Sequence, residues 1–104
     1  MAKLRKDVEV KIGDDGKIIL KEPSNHEWND FVAKRYPLSK GNRLKDNSSE
    51  ARVELFDKLV VEIENIEDEK GLITLETKER IPARLKAEII FKAFESEETV
   101  EIKN

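Results

Sequence analysis

Phe56-Asp57-Lys58-Leu59-Val60-Val61-Glu62-Ile63-Glu64-Asn65-Ile66, residues 56–66, admits two readings. Val53, Phe56, Leu59 and Val60 stand at i, i+3, i+6 and i+7, one stripe of a helix. From Leu59 onward the run is β-branched, and Val61, Ile63 and Asn65 alternate with Glu62 and Glu64. A strand suits that pattern better than a continued helix. The reading adopted ends the helix near Lys58 and starts a strand at Val60 that runs to Ile66.

Toward the C-terminus, Asp68-Glu69-Lys70-Gly71 reads as a turn and Leu72 to Glu76 as the returning strand, which makes a hairpin. Pro82 lacks an N–H, which the first turn of a helix tolerates, so a helix is expected from Pro82 to about Glu95. Its apolar residues Ala83, Leu85, Ala87, Ile89, Ile90, Phe91, Ala93 and Phe94 cover more than half its circumference and call for cover on two sides. Residues 96–104 are acidic and short, a weak edge strand or a frayed tail.

Toward the N-terminus, Asn47, with Glu50 three residues on, or Ser48 caps the helix that ends near Lys58. Residues 38–46 before it form a polar, basic loop, and Tyr36-Pro37 stops an earlier helix running from about Asn25 to Arg35. Ser24 and Glu27 have the spacing of a capping box at its start. Trp28, Phe31, Val32 and Arg35 share one of its faces, read as core. Earlier still, Val8, Val10 and Ile12 alternate with charged residues, and Gly13-Asp14-Asp15-Gly16 links them to Lys17-Ile18-Ile19-Leu20-Lys21. This is a β-hairpin, with glycines supplying positive φ where the chain reverses. The expected fold is α+β: two β-hairpins packed with three helices, in the order ββ-α-α-ββ-α plus a short acidic tail.

The chain has 104 residues and no cysteine. One domain and one core are expected, burying roughly 65% of the unfolded surface. Disulfide frameworks, thiolate metal sites and thiol nucleophiles are excluded together. The longest apolar run, Leu59-Val60-Val61, is far below a membrane span, and Met1 to Asp7 lacks the apolar stretch of a signal peptide, so a cytoplasmic address is expected. Charged residues make up 41% of the chain but the net charge is only −3, so distribution matters more than the sum. Phe31 to Lys45 holds Lys34, Arg35, Lys40, Arg43 and Lys45 without an acid, whereas Glu62 to Glu69 holds five acids without a base.

No catalytic, cofactor or metal constellation emerges. Gly-Asp-Asp-Gly-Lys has neither the spacing of a phosphate loop nor the downstream acid of a calcium loop. His26, the single histidine, has no neighbour that makes it a general base, and reads as an exposed residue of a helix start. Glu67-Asp68-Glu69 reads as a solvated acidic turn. The basic segment, with Tyr36 among Arg35, Lys40, Arg43 and Lys45, makes nucleic-acid binding the alternative function. The negative net charge and the single aromatic there weigh against it.

Residues 19–29 (Ile-Leu-Lys-Glu-Pro-Ser-Asn-His-Glu-Trp-Asn), Ala51-Arg52, Leu55-Phe56-Asp57-Lys58-Leu59-Val60 and Arg80-Ile81-Pro82-Ala83-Arg84-Leu85-Lys86 follow one another with a characteristic spacing. Over about Ile19 to Phe94 this order resembles small tail-assembly-chaperone-like proteins of tailed phages and prophages. The resemblance implies a non-enzymatic cytoplasmic protein that binds the long helical tape-measure protein during tail assembly and is absent from the finished particle. For a protein partner the candidate anchors are Ile90, Phe91 and Phe94, whose plainer reading is core. Arg35, Lys40, Arg43 and Lys45 are the charges that would orient it.

Overall fold

The computed structural model describes residues 7–35 and 46–95. Strands β1 (Val8–Ile12) and β2 (Gly16–Leu20) pair antiparallel, with Val10 opposite Ile18 and Ile12 opposite Gly16. Their alternation buries Val8, Val10, Ile18 and Leu20 and leaves Glu9 and Lys11 outside. In the link, Gly13 adopts a φ of 66°, which only glycine takes without cost. Gly16, expected to supply the same freedom, supplies space instead: a Cβ there would lie 2.6 Å from the Ile12 carbonyl oxygen.

Helix α1 (Asn25–Arg35) begins on the expected capping box. The Glu27 N–H donates to Ser24 Oγ at 3.1 Å, and the Ser24 N–H donates to Glu27 Oε1 at 3.0 Å. That hydrogen bond from the Ser24 backbone holds the Glu27 carboxyl below its ordinary value. Phe31 is the buried residue of this helix; Val32, expected beside it, is 47% exposed. Helix α2 (Ser48–Leu59) passes directly into strand β3 (Val60–Glu64), so the change of period at Leu59-Val60 is a real change of structure. Its first turn is capped by Asp46, whose carboxylate accepts the Ser48 N–H at 2.9 Å; the Asn47 side chain makes no capping bond. The face it buries is Ala51, Leu55, Phe56 and Leu59, one step round from the expected stripe, and Val53 is only half-buried.

The expected second hairpin takes a different form. Strand β3 pairs antiparallel with β2, giving one three-stranded sheet in the order β1-β2-β3. Ile63 then lies opposite Ile18 and Val60 opposite Leu20, which places four apolar side chains on one inner face. Val61 is the extra residue of a bulge and is 42% exposed. The strand stops at Glu64 rather than Ile66, because Asn65 takes a left-handed φ of 54° and its amide donates to the Asp15 carbonyl at 3.2 Å. Beyond it, β4 (Glu67–Asp68) and β5 (Gly71–Leu72) make only a two-residue ladder. The return through Glu76 is cut short where the Thr74 N–H donates to Thr77 Oγ1 at 2.9 Å and a 3-10 segment (Leu75–Arg80) begins.

Helix α3 (Ala83–Ile90) follows Pro82, whose carbonyl accepts the Leu85 and Lys86 amides, and runs into a π-helical turn (Phe91–Glu95). The class is therefore α+β, with the order β-β-α-α-β-β-β, 3-10 segment, α. Helix α2 packs against both α1 and α3, and this helical layer covers the inner face of the sheet. Phe56, Ile18, Leu20, Leu59, Ile89 and Ile90 are fully buried where the layers meet. Burial of each side chain contributes about 1.5–3 kcal/mol. On the outer face Lys17 Nζ lies 3.1 Å from carboxylates of both Glu9 and Glu64, and these contacts hold its ammonium above the ordinary lysine value. Among the described residues no helix is long and apolar enough to cross a membrane.

Candidate functional site

An open groove of about 610 Å³ lies between α2 and α3. Ser49, Glu50, Val53, Glu54 and Asp57 line it from α2, and Ala83, Arg84 and Ala87 from α3. Ser49, Val53 and Asp57 succeed one another at i, i+4 and i+8, and Ala83 and Ala87 at i and i+4, so each helix presents one face along the groove. The floor is apolar and low, because Val53, Ala83 and Ala87 have short side chains.

Two of the acids on the rim are already engaged. Glu54 pairs with Lys34, and with Lys58 at 3.5 Å; hydrogen bonding from Lys34 is the main reason its carboxyl lies below the ordinary range. Asp57 accepts from Lys86 Nζ at 2.8 Å. Lys86 is itself 5% exposed, and its ammonium lies 5.5 Å from the centre of the Phe56 ring, so a lysine stem runs beneath the groove with its charge delivered to the edge. Glu50 and Arg84 are left as rim charges with no ion-pair partner among the described residues.

A second polar assembly joins the far end of the helical layer. The Glu95 carboxylate, 8% exposed, receives Arg52 through two bonds at 2.6 and 3.2 Å and lies 3.2 Å from Arg35 Nη1. Arg35 also lies over the Phe31 ring and Arg52 over the Phe91 ring. These contacts tie α1, α2 and the π-helical turn together. The Asn47 N–H donates to the Arg35 carbonyl at 2.8 Å, which closes the chain at the base of residues 36–45.

The partner-binding residues expected from the sequence are dispersed by this geometry. Ile90 is fully buried and is a core residue, so it offers nothing at the surface. Phe94 is half-buried and packs against the core, and Phe91 is 44% exposed beside Arg52. Arg35 is half-buried and committed to Glu95. Lys40, Arg43 and Lys45 lie outside the described residues, as do the acidic tail 96–104 and most of the basic loop. No family model, curated protein or solved structure matches this chain.

Asp68 of the acidic turn accepts from the Arg80 guanidinium, whose hydrogen bonds hold its carboxyl at about 2. His26 is exposed on the first turn of α1, and no group of three or more His, Asp or Glu residues among those described is placed to hold a metal ion. The groove escaped sequence reading because Val53 stands in one i, i+3, i+6, i+7 stripe with Phe56 and Leu59, and spacing alone does not separate it from them. The signal that could have found it is the pair Ala83 and Ala87, two small residues one turn apart on a helix whose bulky residues lie on its other side.

Proposed function

We propose that this chain is a non-enzymatic protein-binding module that takes one amphipathic helix of another protein in the α2–α3 groove. The observation that carries the reading is the groove itself. A floor of Val53, Ala83 and Ala87 between two helices is what a third helix needs to approach closely and complete a three-helix layer. Charge complements shape: the incoming helix carries a base opposite Glu50 and an acid opposite Arg84, flanking an apolar stripe. In the light of the resemblance to tail-assembly-chaperone-like proteins, that helix belongs to a long helical protein, as a tape-measure protein is, and the module acts during assembly.

A photo-crosslinking residue in place of Ala87, with a control in place of Glu22, tests this in the native host. The reading expects cross-links from position 87 to map to one helical segment, and a synthetic peptide of that segment to bind the purified chain. It also expects Ala87→Trp, which fills the groove from a partly exposed position, to weaken peptide binding at least tenfold with the circular dichroism spectrum unchanged. Equal binding of the peptide to Ala87→Trp and wild type would overturn it.

A further inference from the structure

Among the described residues, strand β1 has a paired neighbour on one side only. It stands at the end of the sheet order β1-β2-β3, and its residues make no backbone hydrogen bond beyond the β2 pairing among the described residues. Each edge has a helical segment beside it, the π-helical turn at β1 and the 3-10 segment at β3, but only β3 carries a bulge, at Val61. Val8-Glu9-Val10-Lys11-Ile12 has no proline, no bulge and no inward charge; its protection is the pair of charges on the outer face, which opposes pairing with any strand that does not match them.

Those charges have a symmetry. If β1 pairs antiparallel with β1 of a second copy about a two-fold axis at Val10, Glu9 falls opposite Lys11 of the partner and Lys11 opposite the partner's Glu9. On the inner face Val10 meets the partner's Val10, and Val8 meets the partner's Ile12. Every cross-strand pair is then matched in kind, apolar with apolar and acid with base. A shift of the register by two residues in either direction loses both Glu9–Lys11 pairs and sets Glu9 opposite Glu9 or Lys11 opposite Lys11. Lys11 has no ion-pair partner among the described residues, and Glu9 can face it while keeping Lys17 on its other side.

We infer that β1 is a self-association edge, through which two copies of this chain join their sheets into one six-stranded antiparallel sheet. This interface is on the opposite layer from the α2–α3 groove, so a dimer presents two grooves and doubles the valency of the module toward a long partner.

Light scattering or sedimentation over a concentration series of the full chain tests the edge. The wild-type mass should climb from the monomer value of 12.0 kDa toward twice that value. Lys11→Glu places Glu9 opposite a glutamate at both ends of the pairing, and Glu9→Lys places two lysines there; each alone should weaken self-association by about tenfold or more. An equal mixture of the two variants restores both charge pairs, so it should form a heterodimer that neither variant forms with itself. Circular dichroism establishes that both variants are folded. A wild-type chain that stays at 12.0 kDa throughout overturns the inference, as does a dimer whose strength ignores both substitutions or a mixture that does not recover. A monomer whose outward β1 amides resist hydrogen exchange would assign the edge to another segment of the same chain, and overturns it equally.

Discussion

Substituting Glu95→Gln removes one charge from the Arg35–Glu95–Arg52 assembly while keeping the shape of the side chain. An amide oxygen can still accept one arginine N–H, but the two-bond contact with Arg52 is lost and the two guanidinium groups are left without their common anion. Taking one partner from a fully buried ion pair costs about 3–5 kcal/mol. Glu95 is 8% exposed, but the arginine side chains are 18% and 24% exposed, so water relieves part of that penalty. A loss of about 2 kcal/mol is the expected result after that discount. For a domain of this size the urea slope is about 1–1.5 kcal/mol per molar, and the midpoint should fall by roughly 1.5 M with the slope unchanged. Because the assembly ties the π-helical turn to α1 and α2, amides of Phe91–Glu95 should also exchange faster than those of α3. A midpoint within a few tenths of a molar of wild type would refute the claim that this carboxylate holds three helical elements together.

Three further outcomes follow from the geometry. Gly16→Ala should destabilise the chain by about 1–3 kcal/mol in urea unfolding, because a Cβ would lie 2.6 Å from a carbonyl oxygen of the turn; Gly13→Ala, where nothing lies within 4 Å, should cost less and only through its positive φ. Ser24→Ala should cost about 1 kcal/mol through loss of the α1 cap, measured by thermal unfolding, while the Glu27 carboxyl stays below its ordinary value in a carbon-detected titration, because the backbone N–H at position 24 still donates to it. Asp68 should titrate near 2 in the folded chain, below its ordinary 3.8, because Arg80 stabilises the carboxylate. Its contribution is therefore present above pH 4 and lost as the pH falls toward 2; Arg80→Ala should move the titration up toward the ordinary range and weaken that dependence, with the Lys70 N–H still donating to Asp68 at 2.8 Å.

What could be read in advance was local. The capping box at Ser24 and Glu27 depends on residues three apart, and the β1–β2 hairpin on a short link with alternation on each side, so both were legible. The switch at Leu59-Val60 was legible because β-branching and period change at the same residue. Pairing was not: β3 chooses β2 over its own return because Ile63 and Val60 then lie beside Ile18 and Leu20, and no local pattern encodes that choice. The 3-10 segment was hidden for the opposite reason, since Leu72 to Glu76 reads as the return of a hairpin after the turn at 68–71, and the threonines at 74 and 77 whose bond starts the segment carry no such pattern. At the site, spacing identified the apolar faces but not their rotation. A step of one position around α2 sets Val53 of the expected stripe in the groove, and the widely apolar α3 turns Ile90 inward and Phe91 outward.

The most direct test of the groove as the binding surface is a nitrogen–proton correlation spectrum of the full chain, titrated with the helical peptide cross-linked from position 87. The account predicts that amide shifts concentrate on Ser49, Val53, Asp57, Ala83, Arg84 and Ala87, with Glu9, Lys17 and Glu64 on the outer face of the sheet unmoved. Shifts centred on Phe91 and Phe94, or spread evenly over the sheet, would contradict it.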